Sequence, residues 1–591
     1  MEKQKLPFTM LDKIPVAPKL LKKRKEKPKF EFEKDPGFVK IDNANDEEED
    51  RVAKCFIGRS LFITGGTGFL GKVLVEKLLR SCGGLKKIYL LVRPKKGKSP
   101  EERLREILDN VLFDKLKEQC SMDWILSKIE LIAGDVLEPQ LGISPEDIEI
   151  LRNEVNIVVH CAATVRFDET LRKAVFLNVR GTKYSLDLAS TFKHLELFWY
   201  ISTTYCHVHV KHLYEKPYDP PADPHSIISL CEMLSDKDMA AVEKKIMGSI
   251  PNSYSYTKAL AEALVVERFG KMPAGILRPS IVIPVWREPL RGWTDNINGP
   301  TGLLIGAGKG VIRTMYCKEN GNGDFLPVDV AVNGILVATL GYLSPELLKF
   351  DVPILNLSSS NEIKVSWKEI VEMGRWVVEN RVPLNGAAWY PGGSMKSNII
   401  LHWLAMIFFH WLPAILVDFL LICIGYPPVL IRVQKRITKG LDVIGYYANG
   451  QWNFDNTRCH NARRILNNRE RLTYVVEKIE FDLIDYFTDC LLCARRLILK
   501  ESDDTIPAAK RHMKIMWCLD KLCKGLFIFA FCYFIYQRFF AGFFSDLASY
   551  YNPQNVTNVN NTSNLTTPSW NQSHIGGIFE EIVAPKLVEG L

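Results

Sequence analysis

Apolar runs and helical patterns alternate along the first half of the chain in a fixed order. The run LFI at 61–63 passes through a glycine turn into apolar residues at helical spacing, and KIYLLV at 87–92 closes the unit. Short continuous apolar runs bounded by turn residues predict buried strands, and apolar residues three and four apart predict helices packed on them. The pattern recurs in IELIAGDV, which ends near Asp135, and in VNIVVHCAATVRF. FLNVRGTKYSLDLA then reads as a helix with Asn178 near its beginning, and LFWYISTTYCHV as a strand ending in hydroxyl residues. Repetition of this order predicts an α/β fold with a doubly wound parallel sheet, and places ligand chemistry at the carboxyl ends of its strands.

The first turn carries Gly65, Gly68 and Gly71 between a strand and a helix. In that position the first glycine permits the turn, the second lets a pyrophosphate approach the backbone, and the third lets the helix pack closely on the sheet. The helix amino terminus offers amide donors to phosphate oxygens. This is a dinucleotide site in a Rossmann-type sheet. The second strand ends at VRPKKGKS, with no carboxylate. Arg93, Lys95 and Lys96 would neutralise a 2′-phosphate that a carboxylate would repel, which favours NADPH over NADH. Asp135 reads as a contact to the adenine edge or as a turn cap. The small Ala162 and Ala163 would let the cofactor approach, and His160 reads as support for that turn.

Downstream, Ser202, Thr203 and Thr204 fall where the sheet presents side chains to a ligand. Tyr254 and Lys258, four apart in YSYTKALAEALVVERF, share one helix face. A phenol there can protonate an oxygen as hydride reaches its carbon. The lysine cation lowers the cost of forming phenolate and can hold the nicotinamide ribose, while a hydroxyl polarises the same carbonyl. Tyr256 lacks this spacing from Lys258 and is the weaker acid.

The remaining composition narrows the picture. At 591 residues the chain can bury a large core and divide into more than one domain, and its 38 glycines and 31 prolines are too ordinary for a fibrous or wholly disordered protein. Its formal charge of +8 is too small and dispersed for a nucleic-acid face. The 14 cysteines have no repeated spacing, and Cys490 with Cys493 makes a single CxxC without a second pair, so no metal site is expected and the thiols read as buried and reduced.

Two apolar regions carry a different message. Residues 399–431 are strongly apolar but include His402, His410, Asp418 and Pro413, which leaves open a membrane span, a re-entrant or interfacial segment, or an enclosure for substrate. Residues 526–544 form a nearly continuous apolar and aromatic run with Lys510, Arg511, Lys514, Lys521 and Lys524 upstream, an anchor with a cytosolic flank, although Gln537 and Arg538 lie within it. Beyond it stand sequons at Asn555, Asn560, Asn561, Asn564 and Asn571. The first residues lack an apolar run long enough for a secretory signal and read as a flexible tail.

Taken in order, TGGTGFLG, HCAA, the STTY segment and YSYTKALAE resemble the extended short-chain dehydrogenases/reductases, and more narrowly the fatty acyl-CoA reductases, or male-sterility-like family. The resemblance runs from about 55 to 545 and includes LRPSIVIPVWREPLRGWTDNINGPTGLLIGAGKG at 277–310, FLPVDVAVNGIL at 325–336, and a later region similar to the sterile domain. It implies NADPH-dependent reduction of a long-chain acyl-CoA to a primary alcohol and CoA, through an aldehyde that is retained and reduced by a second NADPH. It gives Tyr254 the role of proton donor and Lys258 that of its electrostatic partner. It also sets Gly65, Thr67, Gly68, Phe69, Leu70 and Gly71 around the dinucleotide, with Arg278 shaping the nicotinamide side. Relatives commonly show Ser-Thr-Ala-Tyr where this chain has Ser202-Thr203-Thr204-Tyr205, so Thr203 is favoured as the polarising hydroxyl and Thr204 stays open.

The expected organisation is a tail over 1–54, a reductase domain over 55–345, a mainly helical sterile-like domain over 346–510, a membrane segment over 511–550 and a polar tail over 551–591. The expected location is the endoplasmic-reticulum membrane with a cytosolic catalytic domain, with the peroxisomal membrane as the alternative. The lipid membrane and acyl-CoA are the expected partners, and a homo-oligomer stays open. A membrane-associated steroid dehydrogenase, another extended-family oxidoreductase, or a non-catalytic lipid-binding scaffold remain the competing readings.

Overall fold

The structure, a computed structural model, describes residues 48–93, 99–295, 299–359, 364–476 and 482–540. Seven strands form its main sheet: β1 Ser60–Thr64, β2 Lys87–Val92, β3 Ile129–Ala133, β4 Val155–His160, β5 Leu197–Ile201, β6 Ala274–Pro279 and β7 Ile354–Leu357. They lie in the order β7-β6-β5-β4-β1-β2-β3, and every pairing is parallel. The chain runs outward from β1 through β2 and β3, then returns to β4 on the other side. That reversal opens a crevice at the carboxyl ends of β1 and β4, where ligands of such sheets bind. Register aligns those ends: Thr64 stands opposite His160, and His160 opposite Tyr200.

All residues of β1 are buried, as a strand covered on both faces requires. Alternation along the strand sends Leu61 and Ile63 into one layer, with α1 Phe69–Ser81 and α4 Val328–Leu343. Phe62 points into the other, with α2 Gly181–Ala189 and α3 Ser253–Val266.

Two expected boundaries move. β7 lies past residue 345, yet it completes the sheet, with Leu355 opposite Leu277 of β6. Asn356 then donates from Nδ2 to the Leu213 and Asp455 carbonyls at 3.1 and 2.6 Å, so the reductase sheet and the later region share one interior. At the other end, residues 48–54 belong to the fold and not to a tail. A helical turn at Arg51–Lys54 buries Val52, and Arg51 pairs with the buried Glu470 at 2.6 Å. The acidic run at 46–50 masked the apolar anchors Val52 and Phe56 from a reading of composition.

The later region is mainly helical. α5 Ile399–Met406 runs through a π turn, Ile407–Trp411, into α6 Leu412–Cys423, and the long α7 Leu430–Asn449 follows. This pair is inverted relative to an ordinary surface helix. Trp403, Phe408, Phe409, Leu416, Phe419 and Leu420 are exposed, whereas His402, His410 and Asp418 are buried. The buried groups are matched: His410 Nε2 accepts from the Arg313 and Thr314 amides at 3.0 and 3.2 Å, and Asp418 accepts from the amides of Val429, Leu430 and Ile431. The stretch Ile399–Cys423 has the length and composition to cross a membrane.

The chain divides after Trp517 into two compact units. In the second, the end of α8 Ile506–Ile535 and the π turn Tyr536–Phe540 expose Leu526, Phe527, Phe529 and Phe531, and Lys524 pairs with Asp520 at 2.6 Å. Residues 541–544 of the expected anchor, and all the sequons, lie outside the described residues.

Candidate active site

The glycine turn is built by close approach. Gly65 has φ +74°, and a Cβ there would stand 2.7 Å from the Ala162 amide nitrogen, so β1 and β4 meet only if this residue is glycine. A Cβ on Gly71 would stand 2.3 Å from the Gly65 carbonyl oxygen, which brings α1 down onto the turn. Gly68 is the extended N-cap of α1 and supplies no side-chain acceptor to the first-turn amides. Together these make a cradle shaped for pyrophosphate at a helix amino terminus. Thr67 is half-buried in the turn, Phe69 stacks on Trp293 with centroids 5.6 Å apart, and Leu70 packs against the core. Ala162 takes its place opposite Gly65, its amide donating to Thr64 Oγ1 at 3.3 Å.

At the edge of the crevice, Arg93 follows β2 and lies exposed, with Nε 3.3 Å from Asp135 Oδ2. Asp135 also accepts from the Leu137 amide through Oδ1 at 3.1 Å, which is the turn-cap role. Arg103, which the sequence reading missed, donates to the Arg93 carbonyl and brings a second cation to the edge. Lys95 and Lys96 lie outside the described residues.

The opposite side of the crevice gathers Tyr254, Lys258 and Thr203. Lys258 is buried on α3, and its Nζ donates to the Ile201 carbonyl at 2.6 Å and sits 4.6 Å from the centre of the Tyr200 ring. Burial lowers its pKa to about 8. Tyr254, also on α3, is pushed up from the ordinary phenol range by burial and by neighbouring Cys206 and Tyr447, against a hydrogen bond with Thr203 that favours the phenolate. The phenol is therefore held in its protonated form. Thr203 accepts from the Tyr205 amide at 3.2 Å, while the Thr204 hydroxyl is buried without a hydrogen-bond partner among the described residues. Of the two hydroxyls, Thr203 is the one that acts on the Tyr254 phenol, and Thr204 is left with that unpaired oxygen. His160 bridges Thr64 and Thr182 at 2.7 and 3.1 Å, and burial together with Lys258 lowers its pKa to about 3, so it is a neutral support.

Arg278 leaves the expected cofactor set. Its side chain is fully buried, and its nitrogens donate to Glu262 at 2.8 and 2.7 Å and to the Tyr214 and Lys216 carbonyls. Glu262 lies one turn beyond Lys258 on α3 and also faces His207 at 3.3 Å. Burial alone would raise the Glu262 carboxyl; Arg278 and His207 outweigh it and hold the group ionised. Cys206, His207 and Glu262 bring three ligand-type atoms within 4.8 Å of one another. The Arg278 guanidinium already occupies that carboxylate, so the cluster is a charge network supporting α3.

Further groups come from distant chain. Asn178 sits in the π turn Val175–Arg180 before α2, accepts from the Thr164 amide at 2.8 Å and donates to Thr257 Oγ1 at 2.9 Å, tying the loop after β4 to α3. Tyr447 of α7 bonds Asn252 and Ser255 at 2.7 and 2.9 Å, and Phe167 packs 5.6 Å from both the Tyr447 and Tyr254 rings. Nothing in local spacing marks Tyr447; only the fold brings it beside Tyr254.

Residues 63–335 and 409–501 match two family descriptions, both given as male sterility protein. Fatty acyl-CoA reductase 1 of Mus musculus and of Homo sapiens are each 37% identical over 464 residues, covering 78% of this chain and 89% of the relative. Fatty acyl-CoA reductase 2 of Bos taurus is 36% identical over 467 residues, with the same coverage of 78% and 89%. Among solved structures, the terminal reductase domain of the myxalamid biosynthetic pathway aligns with a TM-score of 0.50 at 19% identity, covering 74% of this chain and 91% of that one. A nonribosomal peptide synthetase reductase domain from Mycobacterium tuberculosis does so at 0.50 and 18%, covering 76% and 96%. At such identities the structural likeness concerns the fold alone.

Proposed function

The chain belongs to the male sterility family of fatty acyl-CoA reductases, an enzyme family with a nicotinamide cofactor site, and from this premise we propose that it reduces a long-chain fatty acyl-CoA to the primary alcohol with NADPH. The observation that carries the proposal is the convergence of Tyr254, Lys258 and Thr203 at the carboxyl end of β5, across the crevice from the Gly65 turn. Gly65, Gly68 and Gly71 would hold the pyrophosphate, and Arg93 with Arg103 favours a 2′-phosphate over a bare ribose. When bound, the nucleotide supplies hydride.

The remaining chemistry falls to the protein. Thr203 and Tyr254 would hydrogen-bond the thioester oxygen, and Lys258 would stabilise charge developing on the phenol. Collapse of the hemithioacetal releases CoA and leaves an aldehyde; Tyr254 donates the alcohol proton after the second reduction. Retention of the aldehyde between the two steps would keep it from water and from side reactions.

The exposed apolar face of α5 and α6 supports attachment to a lipid surface. Its polar stripe is turned toward the protein, which favours a helix lying in the interface over one surrounded by lipid. Exposed Arg432, Lys435 and Arg436 on the adjoining α7 suit anionic headgroups. The endoplasmic reticulum, or alternatively the peroxisome, is the proposed membrane.

The test is product analysis with detergent-solubilised full-length protein, NADPH and an acyl-CoA series. Two NADPH consumed per fatty alcohol is the expected result. One NADPH per accumulated aldehyde would overturn the alcohol-forming mechanism, and consumption with NADH alone would overturn the cofactor assignment.

A further inference from the structure

A cavity of about 450 Å³ lies between the start of α5 and the end of α7. Ile399 and Trp403 come from α5, Leu441 and Tyr446 from α7, and Tyr316 and Trp452 complete the apolar wall. Lys211 and Asp442 add charge to the lining. His402 and Asn449 also line it, so the walls are mainly aromatic and aliphatic with a polar margin; the volume falls within the range of small-molecule sites, and the apolar part of the wall suits an alkyl chain.

Gly445 also lines this cavity, and its presence there needs a reason. It is buried inside a 20-residue helix, where glycine costs about 1 kcal/mol relative to alanine. It has no positive φ to accommodate. Nor does it permit a close backbone approach: a Cβ there would meet only Tyr316 Cδ1, at 3.9 Å, an ordinary van der Waals contact. What the missing side chain preserves is room in the cavity.

A series of mutually packed rings runs from the cavity wall to the catalytic side. Tyr446 lies 6.0 Å from Trp452, which lies 5.6 Å from Tyr205, and Tyr205 lies 5.5 Å from Tyr447. Phe167 continues the series from Tyr447 to Tyr254 with steps of 5.6 Å. Phe167 and Tyr446 are exposed near the two ends of this series, so an extended alkyl chain whose carbonyl reached Tyr254 would lie over its outer side toward the cavity, and the cavity adjoins the apolar face of α5 from which a lipid-borne chain would arrive.

We propose that this cavity receives the distal part of the acyl chain and that Gly445 sets the longest chain it admits. The inference rests on the acyl-CoA reading of the active site, with Gly445 as a specificity-determining residue.

The experiment measures kcat/KM for acyl-CoAs of about 12 to 26 carbons in the full-length wild type, Gly445→Ala and Gly445→Leu, on the expectation that a misplaced methylene is discriminated by about 10- to 200-fold. The ratio of long-chain to short-chain kcat/KM should fall at least about tenfold in Gly445→Leu and by less in Gly445→Ala. An unchanged ratio in active variants overturns the assignment and leaves the acyl-CoA reading intact. Should Gly445→Leu not fold, Gly445→Ala, which meets no atom closer than 3.9 Å, decides by the same ratio. If the wild type reduces no acyl-CoA, the active-site reading falls, and the cavity is judged by binding of a fluorescent polyene fatty acid. Binding lost in Gly445→Leu supports the cavity; equal binding, or none in the wild type, overturns it.

Discussion

Lys258 Nζ donates to the Ile201 carbonyl across 2.6 Å, which fixes the cation of the site on the end of β5. Burial lowers its pKa to about 8, so above that pH the free enzyme loses the charge that Tyr254 and the nucleotide use in the proposed mechanism. The alkaline limb of kcat/KM should therefore report a group near 8. Lys258→Arg, which stays charged, should lower the rate but remove that limb. Because the folded pKa lies below the ordinary 10.5, the unfolded chain binds the proton more tightly, and this residue's effect on stability becomes more favourable as pH rises through the window between them. A pH profile without a limb in this range would contradict the assignment.

The hydroxyl roles separate by substitution. Tyr254→Phe would remove the proposed proton donor and should lower turnover by about 10²- to 10⁴-fold, with nucleotide affinity retained. Thr203→Val should cost more in kcat than Thr204→Val, because Thr203 is the hydroxyl that acts to lower the Tyr254 phenol against its burial. Single-turnover rates and nucleotide titrations on the three variants check both statements.

Arg278 acts through α3 and not on the cofactor. Arg278→Met would leave Glu262 buried without its strongest partner, a change that costs about 3 to 5 kcal/mol in comparable buried pairs. Thermal unfolding should show a lowered midpoint even without nucleotide. A variant with wild-type stability but weakened nucleotide binding would return Arg278 to the cofactor set.

Replacing Phe408 and Phe419 by aspartate puts charge on the outward face of α5 and α6 without touching the buried His410 or Asp418. Sedimentation with phosphatidylcholine vesicles containing phosphatidylserine should fall several-fold relative to wild type. Undiminished sedimentation would shift the attachment to the second unit, whose exposed Phe527, Phe529 and Phe531 make it the other candidate.

Local grammar made the nucleotide half legible. Gly65, Gly68 and Gly71 announced their turn because glycine is required at a fixed spacing by backbone contact, and Tyr254 with Lys258 announced a shared face because helical periodicity is local. Thr203 and Thr204 stayed alternatives in the sequence, since adjacent hydroxyls just past a strand end carry no local signal of which one faces Tyr254. Arg278 misled because its position in the sequence near the site says nothing of where its guanidinium turns. β7 was hidden by its brevity and by a long separation from its partner. The polar residues of 399–423 looked like obstacles to membrane contact because the sequence does not state which side of a helix the protein occupies.

Shared interior contacts also bear on how such chains can be recombined. Glu215, from the loop after β5, accepts from the Asn356 amide of β7 and from the Cys459 amide of the later region at 2.9 and 3.3 Å, while Tyr447 reaches back to Asn252 and Ser255. A chimera that joined this reductase half to a relative's sterile half at residue 345 would replace part of the sheet and the tyrosine beside Tyr254 together. The two halves therefore inherit as one unit, and swapping substrate preference between relatives calls for exchange of individual wall residues rather than of whole segments.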